Sequence, residues 1–249
     1  MTTDLKDCAA DAGSDPAPQA SSCGPGLPNA LEALKRAILA KKIEPICMAY
    51  QAVQLAGFAM KAKELFEAID ASAGASARGS IVSAYSHRQC FMCEGGTVPC
   101  DQCDGSGLAE PGRVCPNCRG FAITSCTFCQ GTGWAEISTI PPEIARSVQE
   151  RQVKYVMDEM VRVQQQAAVI QAEKLQLLDQ PSRRRLGEWL MRLQARLDNL
   201  LERPAALSAP QKQQFAAAMA DIDRMVGGLV DGNRREAIAA AEKNKKKKK

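Results

Sequence analysis

Apolar stripes at helical spacing run along both halves of this chain, and a polar, cysteine-rich stretch separates them. Leu31, Leu34 and Ile38 share one helical face ahead of Lys41 and Lys42, with Asn29 as a cap candidate. Pro45 suits the first turn of a second helix, whose apolar side carries Ile46, Tyr50, Val53, Gly57 and Met60 and which ends near Ile69. Residues 28–71 are thus expected to form a helical hairpin, and an Ala/Gly/Ser-rich stretch opens a linker over 72–87.

The second half, 140–241, reads as helical and coiled-coil-like. Beyond Ile140-Pro141-Pro142, a long helix over 142–179 sets Val153, Val156, Met160, Val163, Ala167, Ile170 and Leu177 at alternating steps of three and four, with Lys174 in one apolar slot. Pro181 interrupts it. Leu186, Leu190, Leu193, Leu197 and Leu200 continue the spacing over 182–202. A weaker stripe over 209–241 carries Phe215, Met219, Ile222, Met225 and Leu229 and is broken by Gly227-Gly228. Such stripes are primarily packing surfaces, so core formation or a homo-oligomer through 142–202 is the expectation. The fold class is mainly α: a helical hairpin, a small two-zinc β-hairpin module, then long coiled-coil-like helices.

Composition sharpens this. Aromatics are only 4% of the chain, which favours helices over a sheet sandwich. Residues 1–27 carry almost no large apolar side chains and are expected to be a disordered tail, with Cys8 and Cys23 as incidental thiols. The net charge is +4, but Lys245 to Lys249, in a basic lysine tail over 242–249, supply more than that and leave the rest at −1. No run of 18 apolar residues and no leader-like opening is present, so the expectation is a cytoplasmic protein with no membrane segment.

Residues 88–135 hold the chemistry. Four Cys-x-x-Cys pairs stand at Cys90/Cys93, Cys100/Cys103, Cys115/Cys118 and Cys126/Cys129. Each turn aims two thiolates at one ion, so eight ligands predict two Zn2+ per chain. In a reducing compartment such pairs read as metal ligands rather than disulfides. Six, eleven and seven residues separate successive pairs. Short, long, short spacing favours a nested arrangement, with the middle loop turning the chain back and Thr97-Val98 opposite Ile123-Thr124. Cys90, Cys93, Cys126 and Cys129 then form one site, and Cys100, Cys103, Cys115 and Cys118 the other. Sequential pairing remains sterically open. Glycines behind each pair let the backbone curl so that N–H groups face sulfur. His87 precedes the first ligand, but eight cysteines already fill two shells, so it reads as a surface histidine.

Cys100-Asp101-Gln102-Cys103-Asp104-Gly105-Ser106-Gly107 and Cys126-Thr127-Phe128-Cys129-Gln130-Gly131-Thr132-Gly133 match Cys-x-x-Cys-x-Gly-x-Gly in full. The other two pairs keep only the first glycine, as Gly95 and Gly120. The four repeats resemble the cysteine-rich zinc domain of the DnaJ family. The compact spacing and Cys115-Pro116-Asn117-Cys118-Arg119-Gly120 look most like the short members without a J domain, typified by the plant Rubisco-assembly chaperone. The resemblance covers about 45 residues. It implies zinc in the nested order and a part for the module in binding non-native polypeptide. The His-Pro-Asp tripeptide of a J domain is missing, so stimulation of the 70-kDa heat-shock chaperones is not expected.

Four thiolates per ion leave no open coordination position, so no catalysis is expected beyond thiol–disulfide exchange after metal loss. The expected function is an ATP-independent, chaperone-like or assembly protein whose partner is a polypeptide client. One alternative is a nucleic-acid-binding regulator using the lysine tail, Arg183-Arg184-Arg185 and Arg234-Arg235, although Arg88, Arg113 and Arg119 are outnumbered in the module by Glu94, Asp101, Asp104 and Glu110. Another is a structural adaptor. Trp134 is expected to cover a zinc knuckle, and metal removal to unfold 88–135 while the distal helices persist.

Overall fold

The computed structural model describes residues 26–169, 172–202 and 207–247, which are mainly α-helical with two small antiparallel sheets. The expected tail falls almost wholly outside them, as do Cys8, Cys23, Ile170, Lys248 and Lys249. No helix among the described residues is long and apolar enough to cross a membrane.

The N-terminal part is a four-helix cluster, where a hairpin and a linker were expected. Helices α1 (Leu27–Leu39), α2 (Ile43–Ala56), α3 (Ala62–Ala73) and α4 (Ala77–His87) bury Leu34, Tyr50, Val53, Ile69 and Ile81 at their centre. Two start and stop signals differ from the sequence reading. Asn29 lies inside α1, which starts behind Gly26 with Pro28 in its first turn. The stripe expected to run from Pro45 to Ile69 breaks at Gly57, which closes α2 by donating its N–H to the Val53 carbonyl. The linker expected over 72–87 is largely helix α4, whose Ala77, Ile81 and Tyr85 sit at i, i+4 and i+8 and are buried. Its small residues masked a short apolar face.

Helix α5 (Pro142–Val169) joins two cores. Its first turns give Ile144 and Val148 to the N-terminal cluster. Further along, Val153, Val156, Met160 and Val163 enter a second core with α7 (Gln180–Leu201) and α8 (Ala209–Lys247). These four residues of the expected seam are thus buried within the chain, whereas Leu177, counted in it, is 80% exposed. The long helix expected to reach 179 is described as helix over Pro142–Val169 and again as α6 (Ala172–Leu175), and turns follow over 176–178. Pro181 does not merely interrupt. It sits in the first turn of α7, behind Asp179, whose carboxylate accepts from the Ser182 N–H at 3.1 Å. Helix α8 runs through Gly227-Gly228 without a break and carries Lys243 to Lys247 in its final turns.

The cysteine-rich hairpin plugs into the second core. It contributes Phe121, Ile123 and Trp134, so Trp134 serves the helices as well as the hairpin. Gly187 marks the tightest approach: a Cβ there would lie 2.5 Å from the Phe121 ring. On an exposed helix, alanine would be favoured over glycine by about 1 kcal/mol. Here overpacking wins, and Gly187→Ala is expected to destabilise the protein by about 1–3 kcal/mol. The midpoint of urea unfolding measures it, and an unchanged or raised midpoint would contradict this packing.

Candidate metal centre

Two pairs of short strands build the hairpin. β1 (Thr97–Pro99) and β4 (Ile123–Ser125) run antiparallel with Val98 opposite Thr124, and β2 (Leu108–Glu110) pairs with β3 (Arg113–Val114) in the middle loop. Pro99, which lacks an N–H, ends β1. Backbone bonds carry the ladder onto the ligands at both ends. Cys126 donates to Gly96 O at 2.8 Å, and Cys100 donates to Ala122 O at 3.0 Å. Strand pairing therefore fixes where the sulfurs meet.

The structure brings the eight predicted ligands into the nested grouping. Cys90, Cys93, Cys126 and Cys129 form one quartet and Cys100, Cys103, Cys115 and Cys118 the other, with all sulfurs of a quartet within 4.8 Å of one another. Cys93 and Cys129 Sγ lie 3.7 Å apart, Cys103 and Cys118 3.7 Å, and Cys100 and Cys115 3.9 Å. These are not disulfides, whose sulfurs sit about 2.05 Å apart. A tetrahedron with metal–sulfur bonds of about 2.3 Å, the zinc–thiolate length, has edges of about 3.8 Å. The quartets match that size. His87 stays apart, its Nδ1 2.8 Å from the Ser83 carbonyl.

The turns around the sulfurs follow one plan. The residues just after the second cysteine of three pairs, Asp104, Arg119 and Gln130, all take left-handed backbone, with φ of 47°, 52° and 53°. This curl aims N–H groups at the thiolates: Gly107 at Cys103 and Gly133 at Cys129, each 3.3 Å from sulfur. Within the Cys90–Cys93 turn the Met92 N–H lies 3.4 Å from Cys90 Sγ. Asn117 Nδ2 adds a contact of 3.5 Å to Cys100 Sγ. Gly96 stands where the two arms touch, and a Cβ there would meet the Gly131 carbonyl at 2.2 Å.

Charge makes the quartets incomplete as bare protein. Burial and competition for protons with the neighbouring cysteines push Cys93 up, and burial pushes Cys90 up. Against its own burial, Cys126 is drawn down by the N–H groups of Cys129 and Phe128. In the second quartet desolvation pushes Cys118 up to about 12, whereas Cys103, despite its burial, is brought to about 7 by the Gly107 N–H and by neighbouring thiols. One sulfur holds charge at the others' expense, because thiolates this close repel. A dication at the centre removes the conflict and deprotonates the whole set. The remaining described cysteine, Cys47, is buried in the N-terminal core, where desolvation raises its thiol to about 11.

Two polar posts from the helices hold the hairpin. Under the first quartet, Arg196 donates to the Thr132 carbonyl at 2.8 Å and to Glu159 at 2.9 Å, and its guanidinium lies 4.9 Å from the centre of the Trp134 indole. Under the second, Asn233 donates to the Arg119 carbonyl at 3.2 Å and accepts from Arg183 Nε at 2.9 Å. The sequence reading missed both posts. By sequence Arg183 groups with Arg184 and Arg185 as a phosphate contact. It is buried and also bonded to Glu236 and the Leu178 carbonyl, while Arg184 and Arg185 are exposed. One signal was legible: Arg183 lies one heptad ahead of Leu190 and two ahead of Leu197, a charge in a core slot.

Comparison of the chain with protein-family models, with curated proteins and with solved structures finds no match.

Two outcomes follow from the posts. Glu159→Ala leaves the Arg196 guanidinium buried without its counter-charge, and is expected to cost about 3 kcal/mol in denaturant unfolding. Loss of metal should not leave the distal helices untouched, because Phe121, Ile123 and Trp134 are shared with them. Hydrogen exchange after chelation is expected to rise in 88–135 and also in α7 and the middle of α8, with α1 to α3 unchanged. Acceleration confined to the hairpin would show that the two parts fold independently.

Proposed function

We propose that this protein is a zinc-loaded, ATP-independent polypeptide-binding protein, of the chaperone or assembly-factor kind, and not an enzyme. Zinc is the ion the donor set favours: four thiolates, tetrahedral edges near 3.8 Å and N–H support on the sulfurs. All four positions around each ion are taken by cysteine, which suits a structural role.

One observation carries the polypeptide reading. Phe91 and Phe128 come from inside the two Cys-x-x-Cys turns of the first quartet and meet edge to face on its outside, ring centres 4.9 Å apart. They are 80% and 44% exposed, and neighbouring Met92 is exposed too. An aromatic pair fixed on a metal-braced tip offers apolar contact area at little cost in ordering entropy, which is the property a protein-binding surface needs. The resemblance to the zinc domain of DnaJ proteins supports the same reading.

The test combines metal analysis with a client assay. Two zinc ions per chain are expected. The loaded protein is expected to suppress aggregation of a chemically unfolded model enzyme without ATP. Phe91→Ser with Phe128→Ser should reduce that suppression several-fold while leaving the zinc content intact, and Cys100→Ser with Cys103→Ser should abolish it. Equal suppression by metal-free protein would sink the proposal.

A further inference from the structure

A cleft of about 1030 Å3 runs between the hairpin and the α7/α8 pair. Its floor is apolar, made by Phe121, Val226 and Val230 with Met191 at one side. Its rim is acidic. Asp198, Glu202, Asp223 and Asp231 line it against two guanidiniums, Arg119 and Arg234, and Arg234 already pairs with Asp231 at 3.5 Å. Cys118 also reaches the wall, so the charge of the second thiolate quartet adds to the same side.

Three observations narrow what such a cleft takes. Its sign opposes phosphate-bearing ligands and favours cationic ones. Its carboxylates do not act as a metal site, because among the described residues only the two cysteine quartets converge closely enough to hold an ion. The carboxylates also crowd one another: burial raises the Asp198 carboxyl above its usual range, and Glu202 and Asp223 add to the effect. An occupant with spread positive charge and apolar side chains relieves the crowding and covers the floor.

We propose that this cleft is a docking groove for a basic segment of a partner polypeptide, with Lys or Arg side chains on Asp198, Glu202, Asp223 and Asp231 and an apolar side chain on the Phe121–Val226–Val230 floor. The inference rests on the polypeptide-binding reading above, and adds the surface and the chemistry of the partner. It places the second contact away from the aromatic tip, on the face where hairpin and helices meet. Gly227 keeps the groove open: it projects from α8 into the cleft, and a Cβ there would meet nothing within 4 Å.

That glycine supplies a clean steric test. Leucine at 227 is a better helix former than glycine and its Cβ would meet no atom within 4 Å, so Gly227→Leu is expected to fold and to fill the groove. The probe is a fluorescein-labelled 12-residue peptide of alternating Lys and Leu, with a Glu/Leu peptide of the same length as control. Binding is read by anisotropy on the full-length, metal-loaded protein. The Lys/Leu peptide is expected to bind, more weakly as salt rises, and the control not to bind. Gly227→Leu, and separately Glu202→Lys with Asp223→Lys, should each weaken binding about tenfold at unchanged helicity and metal content.

An affinity that responds to the charge reversals but not to Gly227→Leu would mean general attraction to an acidic surface, and would overturn the groove. So would equal binding of the two peptides. Aggregation assays on the same variants separate the two proposals. Groove-dependent peptide binding by a protein that never suppresses aggregation would uphold the groove and reject the chaperone reading. Full suppression by groove variants whose peptide affinity is also unchanged would do the reverse.

Discussion

The hairpin and its seat on the distal helices are arranged around sulfurs that repel one another. Four thiols held within 4.8 Å of one another cannot all ionise without a cation among them, and four neutral thiols would give the hairpin little stability. A dication turns that frustration into the hairpin's main cohesive force. The backbone is prepared for it: left-handed turns at Asp104, Arg119 and Gln130 aim N–H groups at sulfur, and strand bonds at Cys100 and Cys126 set the two quartets at opposite ends of one ladder. The long middle loop only has to reverse the chain.

The cysteine hairpin and the distal helices are nevertheless one body. Each quartet stands on a polar post from the helical bundle. Arg196 joins the Thr132 carbonyl to Glu159 beneath the indole of Trp134, and Asn233 joins the Arg119 carbonyl to Arg183. Buried charges of this kind add little net stability, since desolvation offsets most of the attraction. What they add is position. A floor of Phe121, Ile123 and Trp134 alone would tolerate sliding, whereas a guanidinium that must meet one carbonyl and one carboxylate admits a single seat. Gly187, with no room for a methyl group before Phe121, enforces the same seat sterically.

This division explains what the sequence made legible. Ligand identity and nesting follow from spacing, because Cys-x-x-Cys geometry is local and loop lengths limit which pairs can meet. Helix existence was equally readable where apolar steps were long and regular, as in α5 and α7. The failures share a cause. Ala77, Ile81 and Tyr85 make a three-residue face among Gly and Ser, too short to outweigh the composition around it. Pro181 and Gly57 have opposite effects at opposite helix ends, and only the surrounding cap geometry decides which applies. Leu177 kept step with the stripe, but the chain leaves the long helix before reaching it. The posts lay deepest, because Arg183 beside two other arginines looks like a basic surface until Asn233, fifty residues away in sequence, claims it. Arg196 and the Thr132 carbonyl are farther apart still.

Bracing by metal would also free side chains that an ordinary small domain would need inside. The hairpin has four aromatics: Phe91, Phe121, Phe128 and Trp134. A module of about 45 residues without metal would have to bury all of them and would still be marginal. Here Phe121 and Trp134 point into the helices, and Phe91 and Phe128 point outward from the tip. Because the fold does not depend on the outward pair, those positions are available to a partner. The same logic applies at Gly227, where a helix gives up a better residue and leaves a cleft open beside the second quartet. Exposed aromatics and an unfilled groove are each costly to a chain that needs only to fold. Together on one body, they are the features on which the proposed grip on other polypeptides rests.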